Sequence, residues 1–158
     1  MEALGVRFGR GLQLTNILRD LPRDLAGGRC YLPSPELSDL GLAPSDLLDP
    51  AAAARVRPLI DDLLAEAVSH YEAGFSYTLA LARRPIALRV SCALPLLIGI
   101  ETLGRLAASG DLLDRELVHK VPRRRVRGLV VQAVFRAGSD RGLAGLFGRT
   151  LRAAGFSS

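Results

Sequence analysis

Apolar residues recur three and four positions apart along most of the chain, a spacing that predicts helices. In the Ala- and Leu-rich stretch from Ala51 to about Ala82, Leu59, Leu63 and Ala67 fall on one helical face. A second long helix, apolar on nearly all sides, is predicted from Ile86 to Ala108 and is expected to lie centrally in the fold. No alternation typical of strands is present. The predicted fold class is therefore all-α.

Glycine and proline divide these helices. Gly27 and Gly28 are expected to end a first helix over residues 1–26, because glycine adopts left-handed backbone angles without steric cost. A proline-rich loop over residues 27–50 follows, in which short helical turns are expected. Their candidate capping residues are Ser34, Ser45 and Asp49.

The break between the two long helices is expected at Arg84 and Pro85, because the residue before proline disfavours helical angles. Two further helices are predicted from about Val126 to Ala137 and, shorter, from Ser139 to Ala154. We interpret residues 1–158 as a single partial domain. It consists of the first helix 1–26, the loop 27–50 and a helical bundle 51–158.

A high apolar content raises the question of a membrane span. Hydrophobic residues make up 49% of the chain and the mean hydropathy is +0.22. The most apolar stretch, Val90 to Ile100, has about half of the roughly 20 residues that a span needs. Arg89 and Glu101 close it at both ends. We therefore interpret it as part of a buried helix.

The chain has a net charge of +5, so anionic partners are expected. Only 5% of the residues are aromatic and tryptophan is absent, which argues against a nucleic-acid partner. Cys30 and Cys92 lie far apart without the spacing of metal ligands, and no signal peptide is recognisable. A cytoplasmic location is expected, with peripheral membrane association as an addition.

The stretch with the clearest chemistry is GLQLTNILRDLPRDLAGGRCYLP, residues 11–33. On a helix that advances about 100° per residue, four of its polar residues fall within an arc of about 80°. They are Gln13, Asn16, Asp20 and Asp24. Magnesium prefers hard oxygen ligands and commonly takes one or two carboxylates, while phosphates and water complete its shell. Arg19 and Arg23 add guanidinium groups suited to phosphate.

The geometry alone leaves another interpretation open. Asp20 and Asp24 could be solvated helix acids that pair with the neighbouring arginines, as often occurs on helix surfaces. Pro22 removes a helical hydrogen bond and is expected to disturb the helix between the two acids. Asp24 is therefore expected to be the weaker ligand.

The same stretch closely resembles the second aspartate-rich motif of the squalene/phytoene synthase family, Q-x-x-N-x-x-R-D-x-x-x-D followed by G-R-x-Y-L-P. The sequences RDLPRD, RCYLP, HYEAGFSYTLAL and RRPIALRVSCALPLLIGIETL look most like the hydroxysqualene synthase branch of bacterial hopanoid biosynthesis. The resemblance implies the C-terminal part of an isoprenoid synthase-type helical bundle. It extends over nearly the whole chain.

The resemblance also implies a role for each motif residue. Asn16, Asp20 and Asp24 would hold Mg²⁺, while Gln13 and Arg19 would contact the prenyl diphosphate. Two loop residues would lie beside that site, Arg29 and Tyr31. A structural role is equally open for both, with Arg29 capping helix carbonyls and Tyr31 packing on the core.

The chain also departs from the family pattern. The family's first aspartate-rich motif, which binds further Mg²⁺, is missing from the sequence, so we expect a fragment, a truncated gene product or one half of a split enzyme. The acids Asp61, Asp62 and Glu66 are not expected to replace it. The basic segment Lys120 to Arg127 is interpreted as a solvated turn, with diphosphate or lipid contact as the alternative.

The resemblance implies a transferase acting on farnesyl or presqualene diphosphate in squalene, hydroxysqualene or carotenoid biosynthesis. Two alternatives stay open. One is an inactive half-domain that keeps a single Mg²⁺-diphosphate half-site. The other is a basic peripheral membrane or interaction module that uses the segment Lys120 to Arg127.

Overall fold

The computed structural model describes residues 1–110, 112–114 and 119–156, and this part of the chain forms six α-helices and no strand. The helices are α1 (Glu2–Ala26), α2 (Ser34–Asp39), α3 (Ala53–Ala80), α4 (Ile86–Ala107), α5 (Arg123–Arg136) and α6 (Asp140–Ala153). Two short 3-10 turns, Pro44–Leu48 and Pro50–Ala52, lead into α3. The predicted all-α class is confirmed.

Helix α1 ends where the glycine pair predicts. Gly28 adopts a left-handed backbone angle with φ of 74°, which reverses the chain after the last helical turn. The backbone N–H of Arg29 then donates to the carbonyl oxygen of Asp24 at 2.8 Å. Pro22 lies inside the helix, which continues past it to Ala26. Both acids of the motif therefore belong to one helix.

The segment between α1 and α3 is fixed to the core by four buried leucines spaced five residues apart. They are Leu32, Leu37, Leu42 and Leu47. The predicted cap at Asp49 is confirmed, since its Oδ1 accepts from the backbone N–H of Ala51 at 2.9 Å. The predicted cap at Ser34 is wrong by one residue, because Pro33 occupies the N-cap position and Ser34 is already helical.

Helix α4 occupies the central position that its apolar sequence predicts, since it contacts α1, α3, α5 and α6. It also has the length and apolar composition of a membrane span, although 44% of its most apolar window is buried within the protein. Core helices pass the same test of composition. Helix α5 begins at Arg123, three residues before the predicted start, and α6 equals it in length instead of being shorter.

Arg89 on α4 is a fully buried charge that the sequence pattern did not reveal. Its guanidinium donates to the carbonyl oxygen of Ala137 at 2.9 Å and to Oδ1 of Asp140 at 2.6 Å. Arg83 binds the second carboxylate oxygen of Asp140 at 2.8 Å. These contacts join α4 to the turn between α5 and α6, where Ser139 caps α6.

Tyr71 on α3 lies fully buried where α1, α3 and α4 meet. Its hydroxyl is 2.7 Å from Oγ1 of Thr15, and that threonine donates its own proton to the carbonyl oxygen of Gly11 at 2.8 Å. Tyr71 is therefore the donor of the shared bond. A Cβ at position 99 would overlap the Tyr71 hydroxyl, so only glycine fits there, and a Cβ at position 11 would make a tight contact of 3.0 Å with the ring.

We expect Gly99→Ala to destabilise the protein by about 1–3 kcal/mol, because the added methyl group would overlap the Tyr71 hydroxyl. Urea unfolding followed by circular dichroism measures the change. The control is Gly128→Ala in α5, where a methyl group meets nothing within 4 Å and should stabilise the helix by about 0.5–1 kcal/mol. Equal effects of the two substitutions would contradict the packing described for Tyr71.

Burial raises the pKa of Tyr71 to about 12. The unfolded chain ionises this hydroxyl near pH 10, so the native state loses stability as pH rises from about 10 to about 12. We expect a loss of about 1 kcal/mol between pH 9 and pH 11, measured by urea unfolding. Tyr71→Phe should remove that part of the pH dependence, and an unchanged slope would contradict the assignment.

Candidate metal and diphosphate site

The predicted polar face is present on α1. Gln13 and Asn16 are exposed, and the side chains of Asp20 and Asp24 keep 30% and 19% of their surface accessible. The opposite side of the helix buries its apolar and small residues. These are Gly11, Thr15, Leu18, Leu21, Pro22 and Leu25. The helical period therefore turns all four predicted site residues away from the core.

Asp20 is held by the arginine that precedes it. Arg19 donates from Nε to Oδ1 at 3.1 Å and from Nη2 to Oδ2 at 2.7 Å, a two-pronged contact. The Arg19 guanidinium lowers the pKa of the Asp20 carboxyl, and the charges of Arg23 and Lys120 act in the same direction. Asp20 is therefore the ionised oxygen donor that a metal site needs.

Asp24 is held from the other side of the glycine turn. The Arg29 guanidinium donates from Nη2 and Nε to its Oδ1, at 3.0 and 3.3 Å. The turn at Gly27 and Gly28 brings this arginine back over the helix end. The backbone N–H of Arg29 caps the carbonyl oxygen at the end of α1, a role that the sequence suggests for this residue. The side chain of Arg29 binds Asp24, a predicted metal ligand.

Tyr31 is 55% exposed, so the alternative in which it packs on the core is wrong. The structure thus brings Arg29 to the side of Asp24, whereas within the described residues it records no side-chain hydrogen bond of Tyr31 to either of them.

The donor set suits a hard divalent cation. Neighbouring positions on the face are about 6 Å apart along the helix axis, so Asn16 and Asp24 are about 12 Å apart. Mg²⁺ binds oxygens at about 2.1 Å, so the side chains must converge from successive helical turns to share an ion, with Asp20 in the middle position. Within residues 1–110, 112–114 and 119–156 there is no cluster of three or more His, Cys, Asp or Glu side chains able to hold a metal. The face therefore supplies at most two carboxylates to an ion.

Asp20 also lines a cleft of about 440 Å³ between α1, α4 and the segment that enters α5. The cleft residues are Arg19, Asp20, Arg23, Ile98, Thr102, His119, Lys120, Val121 and Val126. Burial and the charge of Arg105 lower the pKa of His119, so it is neutral at pH 7. Three cations thus surround one acid above an apolar floor, an arrangement suited to a phosphorylated apolar ligand.

The cleft changes the interpretation of the basic segment. Lys120 lies in the cleft with the motif residues, whereas Arg125 donates from Nε to Oε1 of Glu101 on α4 at 2.8 Å. Arg123, Arg124 and Arg127 are exposed, but they lie in helix α5, so the interpretation of this part of the segment as a turn is wrong. The sequence pattern could not separate these positions, because their environment depends on how α4 packs against α1.

Other candidate groups lie outside this face. Asp61, Asp62 and Glu66 are exposed on α3. His70 has an acid neighbour on the same helix, since its Nε2 lies 3.4 Å from Oε1 of Glu66. Its Nδ1 accepts from Nε of Arg7 at 3.2 Å, which joins α3 to α1.

The family model described as "Squalene/phytoene synthase" matches residues 1–127 of the chain. The chain belongs to the squalene/phytoene synthase family. The match includes the polar face of α1 and all nine residues of the cleft, and it stops within α5. Residues 128–156, which form the rest of α5 and all of α6, lie beyond it.

Curated relatives agree with this family. Over 72 residues the chain is 44% identical to the presqualene diphosphate synthase of Zymomonas mobilis, a match that covers 46% of this chain and 24% of that enzyme. The presqualene diphosphate synthase of Rhodopseudomonas palustris is 40% identical over 70 residues, covering 44% of this chain and 25% of the enzyme.

A third relative is the 15-cis-phytoene synthase of Enterobacter agglomerans, 49% identical over 43 residues, which cover 27% of this chain and 15% of that enzyme. The chain thus spans a quarter or less of the length of these family members. No solved structure matches it.

We expect Arg19→Gln to raise the pKa of the Asp20 carboxyl toward the usual range, because the guanidinium that stabilises its ionised form is removed. Carbon-13 NMR titration of the carboxyl resonances measures the midpoint. Arg10→Gln, at an exposed position of the same helix, serves as the control and should leave the midpoint unchanged. The contact is refuted if both variants titrate like the unaltered protein.

Proposed function

We propose that this chain supplies one Mg²⁺-diphosphate half of a prenyl diphosphate condensing site, with farnesyl or presqualene diphosphate as the substrate class. The observation that carries the proposal is the position of Asp20, an ionised carboxylate at the edge of a cationic cleft with an apolar floor. Family membership and the names of the relatives support it.

In this proposal each side chain of the face has one task. Asn16, Asp20 and Asp24 provide oxygen ligands, and Gln13, Arg19 and Arg29 face the diphosphate. Bound Mg²⁺ would supply positive charge that stabilises the departing diphosphate. Arg19 and Arg29 neutralise the two acids before ligand arrives and become available to phosphate oxygens once those acids take up the ion.

The cleft adds two contributions. Lys120 places a further positive charge where negative charge develops on the leaving group, which is the electrostatic form of catalysis. Ile98, Val121 and Val126 offer an apolar surface to the prenyl chain and exclude water from a reactive cation. The basic segment therefore contributes to the site through Lys120 in particular.

A complete reaction needs residues beyond this chain. The matched region covers 24% of the Zymomonas mobilis enzyme, so we propose that the first acidic motif is contributed by sequence outside residues 1–158. The same fact favours a second candidate function, a half-site that binds diphosphate without turnover. A place in hopanoid or carotenoid synthesis, in the cytoplasm, belongs to the first candidate.

We expect Asp20→Asn to weaken Mg²⁺-dependent binding of farnesyl diphosphate at least about tenfold, because the amide loses the charge that attracts the ion. Isothermal titration calorimetry with Mg²⁺ or with EDTA measures it. Asp61→Asn removes an acid from a comparable arginine pair, 2.8 Å from Arg57, and should bind like the unaltered chain. An affinity for farnesyl diphosphate that is unchanged by EDTA, or by Asp20→Asn, would overturn the proposal.

Turnover distinguishes the two candidates. The chain is incubated with Mg²⁺ and farnesyl or presqualene diphosphate, alone and with a segment that carries the first acidic motif. Product in the mixture supports the enzyme. Mg²⁺-dependent binding without product in either incubation identifies the half-site.

A further inference from the structure

Helix α5 exposes an apolar surface in the described part of the chain. Leu129 and Ala133 are buried and face α4 and α6, the helices that α5 contacts. On the outer side lie four large apolar side chains with high exposure. They are Val130 (36% exposed), Val131 (53%), Val134 (48%) and Phe135 (83%). Exposure of an apolar surface that includes Phe135 to water is unfavourable, so we expect a binding partner to cover this surface.

Three exposed arginines share that outer side. Arg123, Arg124 and Arg127 fall with the four apolar residues within an arc of about 140° on a regular helix. The arginines occupy the first two turns and the apolar residues the later ones. We call the seven residues the α5 outer face. Arg125 points elsewhere and binds Glu101, so it is not part of it.

The charge around this face is strongly one-sided. Residues 119–156 contain nine lysine or arginine residues and one acid, a formal charge of +8, whereas the whole chain carries +5. The arginines also stand at the N-terminal end of α5, where the helix dipole is positive. The complementary surface must therefore be anionic beside α5's first turns and apolar beside its later ones.

An anionic bilayer has that arrangement, with phosphate groups above acyl chains. The family match ends at residue 127, before Val130. Nucleic acid could bind the arginines through its phosphates but offers no apolar surface to the three valines. Arginine side chains reach toward headgroups while their helix lies lower in the interface.

We propose that α5 is an interfacial helix that docks the protein on anionic lipid. Val131, Val134 and Phe135 enter the acyl region, and Arg123, Arg124 and Arg127 bind headgroup phosphates. Insertion of about 5–10 Å is usual for such helices, and a slight tilt of α5 brings Phe135 to that depth. This inference does not depend on the proposed function.

The first experiment is co-sedimentation of the full chain with phosphatidylcholine vesicles, with and without phosphatidylglycerol. Binding is expected only with phosphatidylglycerol and is expected to weaken with added salt. Removal of two surface arginines in Arg124→Gln/Arg127→Gln should reduce binding at least about tenfold. The control Arg10→Gln/Arg84→Gln removes the same charge at exposed positions elsewhere and should bind nearly as the unaltered chain.

The apolar contribution is tested in the same assay. Val131→Ser/Phe135→Ser should reduce vesicle binding at least about tenfold. Val6→Ser/Leu48→Ser changes two residues that are 51% and 50% exposed and should have little effect. Thermal melting by circular dichroism verifies that all four double variants remain folded.

The second experiment uses the absence of tryptophan from the sequence. Phe135→Trp introduces a single fluorophore into the α5 outer face, and Leu48→Trp introduces one at an exposed position elsewhere. On vesicles with phosphatidylglycerol, the emission of the first should shift to the blue and be quenched by brominated acyl chains. The emission of the second should do neither.

Three results would overturn the proposal. One is equal vesicle binding by the two arginine variants, which would indicate attraction by net charge alone. Another is binding without quenching at residue 135, which would show that the helix does not insert. The third is lipid-free self-association that Val131→Ser/Phe135→Ser abolishes while vesicles go unbound, which would assign the face to a second copy of the chain.

Discussion

The hydrogen bond from Tyr71 to Thr15 fixes the rotation of α1 in the fold, and the polar face depends on that rotation. Thr15 points into the junction of α1, α3 and α4, so Asn16 and Asp20, about 100° and about 140° further round the helix, point outward. Gly11 and Gly99 make room for the ring. A bulkier side chain at either glycine would turn or displace the helix that presents the candidate ligands.

The sequence was sufficient for features that depend on neighbours along the chain. Helical periodicity and the glycine pair gave the extent of α1 and the side on which Asn16, Asp20 and Asp24 lie, because a helix sets both through its own hydrogen bonds. Pro22 was expected to disturb that side, but the helix runs on to Ala26.

Features that depend on distant contacts could not be predicted. Lys120 joins the cleft because α4 holds the basic segment against α1. The exposed apolar side of α5 could not be predicted for the same reason. Its valines resemble ordinary core residues unless it is known which side of the helix packs on the protein.

The buried guanidinium of Arg89 determines whether α4 lies in the protein core or in a lipid bilayer. By its hydropathy this helix would partition into hydrocarbon, but the Arg89 cation is neutralised by Asp140 and its two terminal nitrogens donate hydrogen bonds within the folded protein. Transfer to a lipid interior would break both contacts and strand a charge where nothing solvates it. The ion pair between Arg89 and Asp140 therefore holds α4, the most apolar helix, against the other helices of the protein.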